Sequence, residues 1–172
     1  MIELVYEGGE PMAQKRKPRA VVEDRIEVAA SPEVVWTCFT DLPMWPQWFP
    51  ALIETGWVAG TPWTTGAQFR QTVEFGFPLG KVTATATIFE VSGAPYIAWE
   101  GKVAGMEVIH DFRFDATAGG TEIVSRQEFY GSLALLARLP FLTRRVHKIY
   151  QAALENFKVY VETGTIQLKM SM

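Results

Sequence analysis

The residue of this sequence best suited to acid–base chemistry is His110. It belongs to a run in which every second residue is apolar, the period of a half-buried strand. Its parity is that of the apolar side chains Met106, Val108, Phe112 and Phe114. His110 is therefore predicted to point inwards, where an imidazole could act as a general acid or base near neutral pH. The alternative is a buried, neutral histidine that is hydrogen-bonded to a neighbour.

Glu128 is the second candidate for a catalytic side chain. If it turns inwards, its carboxylate could orient the imidazole of His110 and raise its basicity. Arg126 and Tyr130 share the parity of Glu128, and such a polar row would suit an oxygen-rich ligand. The run 121–130 shows no clean alternation, so an exposed row at the sheet surface is equally compatible with the sequence.

Two alanines indicate empty space beside these groups. Ala84 and Ala86 share the predicted inner face of one strand, and alanine in mid-strand fills little volume. We expect a cavity there, although Trp99, Phe112 or aromatic residues of the long helix could fill the gap instead. The predicted ligand-binding residues are Phe69, Gln71, Ala84, Ala86, Trp99, Met106, His110, Phe112, Arg126, Tyr150 and Phe157.

Other kinds of site find little support. The second histidine, His147, lies between charged neighbours and is expected to be exposed, so a metal triad is not predicted. The single cysteine, Cys38, excludes an internal disulfide and a Cys-rich zinc site, and no Gly-rich phosphate loop is present. We predict neither a metal nor a cofactor.

The elements that must position these residues can be read from periodicity. Ser31, Pro32 and Glu33 are typical of a helix start after a first strand that begins at Val21, and a second short helix is expected near 44–49. Apolar residues at steps of three and four predict one long helix over 141–162. Short connections favour antiparallel pairing of the other predicted strands, which are 51–58, 66–75, 80–91, 95–103, 105–115 and 121–131.

This order of elements resembles the helix-grip fold of the START and pollen-allergen-like superfamily, also known as SRPBCC or polyketide cyclase/dehydrase. The resemblance rests on the run 26–36 with Ser31-Pro32-Glu33 and Val35-Trp36, on 41–48 with Trp45-Pro46-Gln47-Trp48, and on 120–131. It implies an α+β fold in which a curved seven-stranded antiparallel sheet surrounds a long C-terminal helix, with two short helices after the first strand. The family includes lipid carriers, receptors and cyclases, so the fold does not fix the activity.

Length and composition are those of one globular domain. The chain has 172 residues, 48% of them hydrophobic and 20% charged, with a formal net charge of −3. The negative charge argues against a nucleic-acid partner. No apolar run approaches the roughly 20 residues of a membrane span, and the lone cysteine favours the cytoplasm. We expect a tail over 1–19, a ligand-binding domain over 20–163 and a second tail over 164–172.

Three functions are compatible with these observations. The first is binding of a hydrophobic or aromatic, lipid- or polyketide-like small molecule between the sheet and the long helix. The second is a cyclase or dehydratase that uses His110 in the same cavity. The third is a protein-interaction module with an exposed patch of Trp45, Trp48, Trp57 and Trp63. A monomer or a homodimer, for example one paired through an edge strand, would suit each of them.

Overall fold

The computed structural model describes residues 17–92, 96–103 and 105–164, except for the side chains of 135–137. The expected tails, 1–19 and 164–172, lie almost entirely outside these residues. So does a possible edge strand over 165–170.

Strands and helices follow the predicted order. The first strand is followed by two short helices, then by six strands, and then by a long helix. A 3₁₀ helix, Leu42–Met44, precedes the second short helix, and another, Leu133–Arg138, precedes the long one. The strands are β1 (Ala20–Val28), β2 (Leu52–Ala59), β3 (Gln68–Glu74), β4 (Lys81–Val91), β5 (Tyr96–Val103), β6 (Met106–Thr117) and β7 (Gly120–Tyr130), and the helices are α1 (Pro32–Phe39), α2 (Trp45–Trp48) and α3 (Pro140–Thr163).

The strands of the described residues form one antiparallel sheet in the order β1-β7-β6-β5-β4-β3-β2. Neighbours from β2 to β7 are consecutive in sequence, as the short connections predict, and β1 closes the other edge by pairing with β7. The tight turn before β7 requires Gly120, because a Cβ there would lie 2.1 Å from the carbonyl oxygen of Val28. With α3 packed on this sheet, the predicted helix-grip α+β fold is confirmed.

The long helix extends one residue beyond its prediction at each end. Pro140 occupies its first turn, where the missing N–H costs nothing because that group would have no helical partner. Gly164 ends it in the left-handed conformation, with φ of 63°, and its N–H donates to the carbonyl of Tyr160. The buried side of α3 faces the sheet, and its described buried residues are Leu142, Val146, Ile149, Tyr150, Ala153, Leu154, Asn156 and Phe157.

An aromatic core fills the space between the sheet, the two short helices and the second half of α3. Phe39 lies at its centre, with ring centroids 4.8 Å from Phe112, 5.1 Å from Phe114, 5.2 Å from Trp45 and 6.1 Å from Phe157. Such tilted and edge-on ring contacts stabilise the fold beyond the area that they bury. This end of the interior is therefore well packed.

The tryptophans belong to this core and do not form a surface patch. Trp45 and Trp48 are only 3% and 5% exposed, and Nε1 of Trp45 donates to the carbonyl of Phe39 at 2.7 Å. Trp57 and Trp63 are half-buried against the same core, with centroids 5.0 Å apart. The hypothesis of an interaction module that uses these four rings as an exposed patch is therefore wrong, because the rings are packed into the core.

Candidate functional site

A cavity of about 330 Å³ lies between the sheet and the first half of α3. Alternate residues of β3 to β7 form its floor, since side chains of one parity share a face. Leu142, Val146 and Tyr150 of α3 form its roof. Apolar side chains dominate the wall, and the described polar residues lining it are Gln71, His110 and Gln127, together with the Tyr150 hydroxyl.

Seven of the predicted ligand-binding residues lie in the wall of this cavity. Ala84 and Ala86 are alternate residues of β4, so both side chains point into the cavity. Their short side chains leave space above this strand, as their residue type indicates. The seven are Gln71, Ala84, Ala86, Trp99, Met106, His110 and Tyr150.

Three predicted aromatic contacts lie elsewhere. Phe112 and Phe157 line a separate void of about 20 Å³ inside the aromatic core, too small for a ligand. Phe69 is fully buried against Trp45 and Trp99, with ring centroids 5.9 Å and 5.3 Å away. The expectation that these three rings line the ligand cavity is corrected: they belong to the aromatic core.

His110 is buried at the end of the cavity next to the small void, as its parity predicts. Its Nε2 lies 2.9 Å from Oγ of Ser125 on β7. Burial lowers the pKa of the imidazole to about 3, because the charged form cannot be solvated there. His110 is therefore neutral at physiological pH, and one of its ring nitrogens is already hydrogen-bonded.

Two polar neighbours of His110 are not among the predicted site residues. Gln127 lies directly opposite His110 in the β6–β7 register and hydrogen-bonds the side chain of Tyr150. Burial raises the pKa of that phenol, so Tyr150 stays protonated. The signal for Ser125 and Gln127 was their parity with Ile123 and Phe129, which marks the inner face of β7.

Glu128 and Arg126 lie on the opposite face of the sheet from His110. Arg126 donates to Glu128 at 2.6 Å and lies 3.8 Å from Glu23. The hydroxyl of Tyr130 donates to Glu128 at 2.5 Å. The polar row therefore exists, but it belongs to the outer surface. A catalytic pairing of Glu128 with His110 and a ligand contact by Arg126 are corrected, because the alternation of β7 puts the sheet itself between them.

A buried carboxylate on β1 was not assigned a role from the sequence. The side chain of Asp24 is 3% exposed, and its Oδ1 lies 2.5 Å from Nδ1 of His147 on α3. The two groups are at ion-pair distance. Burial raises the pKa of Asp24 to about 6, and His147 counteracts part of that rise. His147 is half-exposed and contacts Asp24, so it is a helix-to-strand link.

No group of three or more potential metal ligands occurs among residues 17–92, 96–103 and 105–164. In the same residues, no helix has the length and apolar content needed to cross a membrane.

A single long helix held against a seven-stranded sheet, with a cavity between them, defines a helix-grip protein. The chain belongs to the polyketide cyclase/dehydrase and lipid transport family, whose model matches residues 19–162. This agrees with the resemblance seen in the sequence. No curated protein matches the chain significantly.

Solved structures share the fold at low sequence identity. A Deinococcus radiodurans protein is 23% identical with a TM-score of 0.61, covering 85% of this chain and 100% of its own. A Thermus thermophilus protein is 13% identical with a TM-score of 0.69, covering 85% and 99%. The aromatase/cyclase Zhui of a Streptomyces species is 16% identical with a TM-score of 0.62, covering 84% and 97%.

Proposed function

We propose that this protein binds a hydrophobic or aromatic small molecule, lipid- or polyketide-like, in the cavity between the sheet and α3. The observation that carries the proposal is the cavity of about 330 Å³ with its largely apolar wall. An empty apolar space of this size forfeits dispersion contacts, so a guest that fills it would recover them.

The arrangement of polar groups limits the kind of guest. Gln71, His110 and Tyr150 line both the cavity and the small void behind it, so they mark the inner end. Each can hydrogen-bond a carbonyl or hydroxyl group, and His110 brings no charge because its pKa is lowered. A neutral molecule with one oxygenated end fits these polar groups better than a charged molecule does.

A substitution that fills the cavity tests the proposal. Ala84→Phe adds a ring to the cavity floor, and we expect it to weaken binding of an environment-sensitive apolar fluorophore at least about tenfold. The matched control is Thr85→Phe, which adds a ring to the exposed face of the same strand. Fluorescence titration measures both affinities, and circular dichroism confirms that both variants fold.

Two results would contradict the proposal. One is no binding of any apolar fluorophore by the folded wild-type protein. The other is equal affinity in Ala84→Phe and Thr85→Phe. If binding is found, mass spectrometry of molecules that co-purify with the native protein would identify the guest.

A second candidate function is a cyclase or dehydratase reaction in the same cavity. The favouring observation is that His110, a polar residue able to exchange protons, lines the cavity of a fold shared with an aromatase/cyclase. Its lowered pKa makes it a weak base, and Glu128 cannot assist it from the outer face. Binding is therefore the better-supported function, with a cytoplasmic location and a monomer or homodimer kept as expectations.

A further inference from the structure

The cavity opens between the β3–β4 turn, the 3₁₀ helix Leu133–Arg138 and the start of α3. Its wall includes Leu79 from the β3–β4 turn and Leu133 from the 3₁₀ helix Leu133–Arg138. These two residues are 39% and 46% exposed, so the cavity meets solvent there. Arg145 joins the two sides, since its Nε donates to the carbonyl of Phe75 at 2.7 Å and its guanidinium lies against Gly76. We call this opening, bordered by Leu79, Leu133 and Arg145, the mouth.

Large apolar side chains project outwards at the mouth. Phe77, in the β3–β4 turn, is 97% exposed, and Phe141, in the first turn of α3, is 55% exposed. Leu139 adds a further exposed side chain beside Phe141. A cluster of exposed apolar residues around the opening of an apolar cavity marks a binding surface.

The same end of the molecule is basic although the protein is acidic. The segment 131–151 contains Arg138, Arg144, Arg145 and Lys148 and no acidic residue, whereas the whole chain has a net charge of −3. On α3, Arg144 and Lys148 follow Phe141 by three and seven residues, so all three lie along one exposed stripe.

Two acidic groups near the mouth lie outside this stripe. Glu74 accepts a hydrogen bond from the backbone N–H of Gly76, which keeps its carboxylate at the base of the β3–β4 turn. Glu107 lies on the outer face of β6, opposite Tyr130 in the register. Neither belongs to the stripe of α3.

We propose that the mouth docks on the surface of an anionic phospholipid membrane, so that the cavity exchanges its guest with the bilayer. Exposed Phe and Leu side chains enter the boundary between headgroups and acyl chains, and Arg144 and Lys148 of the stripe bind anionic headgroups. An acidic protein would match the cations, but a projecting ring such as Phe77 fits a fluid bilayer better than a preformed pocket. The inference rests on the proposed function, because the docked face surrounds the proposed binding cavity.

Vesicle co-sedimentation of the full chain tests the docking. We expect binding to vesicles of phosphatidylcholine with 30% phosphatidylserine, about tenfold weaker binding to phosphatidylcholine alone, and weaker binding at high salt. The double variant Phe77→Ser/Phe141→Ser should lower the partition coefficient about tenfold, and Lys148→Glu at least about fivefold. The matched controls are Ile53→Ser/Val58→Ser, which removes two apolar side chains of β2 that are 48% and 50% exposed, and Arg70→Glu on the outer face of β3; both should stay within about twofold of wild type.

The outcomes separate this inference from the proposed function. Equal binding to both vesicle types, no binding to either, or equal losses in the mouth and control variants would overturn the docking. Fluorophore titration without vesicles reports on the cavity alone, and Phe77→Ser/Phe141→Ser should leave it unchanged because neither side chain lines the cavity. Loss of fluorophore binding in the wild-type protein would count against the proposed function instead.

Discussion

His110 is a neutral polar group among aromatic rings. Its ring centroid lies 4.4 Å from that of Phe112, 5.1 Å from Trp99 and 5.2 Å from Tyr150. These neighbours exclude water, and burial lowers the pKa to about 3. Across the physiological range the residue therefore acts through hydrogen bonds and steric fit, without a change of charge.

Replacement of His110 distinguishes binding from catalysis. If the protein is a carrier, His110→Ala should weaken binding of an oxygenated guest about tenfold, the value of one buried hydrogen bond, and spare a purely apolar fluorophore. If it is a cyclase, the variant should retain affinity within a few-fold and lose turnover. Parallel titrations with a naphthol and its parent hydrocarbon make the comparison, and equal affinity losses for both would contradict the hydrogen-bonding role.

At the scale of elements, α3 is attached to the sheet by polar contacts at several points. Lys158 donates to the carbonyl of Glu27 at 2.5 Å, and Glu162 accepts from the N–H of Ala29 at 2.7 Å. Nearer its start, His147 lies against the buried Asp24 of β1. These contacts fix the helix over β1 and leave its first half spanning the cavity.

The Asp24 contact predicts a pH dependence of stability. The folded pKa of Asp24, about 6, lies above that of an unfolded aspartate, so the folded state holds the proton more tightly. Stability from this group is present below about pH 4 and is lost as the pH rises to about 6. The side chain of Asp24→Asn cannot ionise. As the pH rises from about 4 to about 6, the free energy of unfolding of this variant should therefore increase by about 1–2 kcal/mol relative to that of the wild type.

Urea unfolding at intervals between pH 4 and 7 measures this difference. Asp111, on the outer face of β6, also has its pKa raised to about 6 by burial and contributes a separate step of the same sign. Asp111→Asn therefore serves as a comparison, and the effects of the two variants should add because the residues lie on opposite faces. An unchanged gap between Asp24→Asn and wild type at all pH values would contradict the prediction.

At the scale of the whole molecule, the interior has a solid end and a hollow end. Rings from both short helices, the sheet and α3 fill the solid end around Phe39. The hollow end is bounded by β3 to β7 and the first half of α3. The short helices α1 and α2 contribute no lining residue to the larger cavity, so one long helix covers that part of the sheet alone.

Truncation should therefore cost more at the solid end than at the hollow end. Phe157→Ala removes a ring that lies 4.7 Å from Trp48 and 6.1 Å from Phe39, and should lower the free energy of unfolding by about 3–5 kcal/mol. Met106→Ala, at the edge of an existing cavity, should cost about 1 kcal/mol or less. Chemical denaturation compares the two, and similar losses would show that the cavity is filled in solution.

The sequence predicted the fold well because most strands have one solvent-exposed face. In β6 the charged residues Glu107, Asp111 and Arg113 alternate with apolar ones, so the direction of His110 could be read directly. The turn residues and the period of α3 gave element bounds within a few residues of those observed.

The candidate site was harder to predict where both faces of a strand are buried. β7 carries Val124 and Tyr130 on its outer face and Ile123 and Phe129 on its inner face, all buried, so hydrophobicity does not alternate there. For that reason Glu128 was a candidate for the interior and Gln127 was overlooked. Single-strand patterns also cannot tell how far along the helix a ring lies, which is why Phe157 was expected at the cavity.

The hydrogen-bonding groups at the closed end of the cavity give it a polarity. Gln71, His110 and Tyr150 lie at the end next to the small void, and Leu79 and Leu133 lie at the opening. An amphiphilic guest would therefore travel inwards head first, with its hydrocarbon portion trailing towards the exit. A guest bound in this orientation has its hydrocarbon portion at the opening, so its release to an acceptor would begin with the hydrocarbon tail.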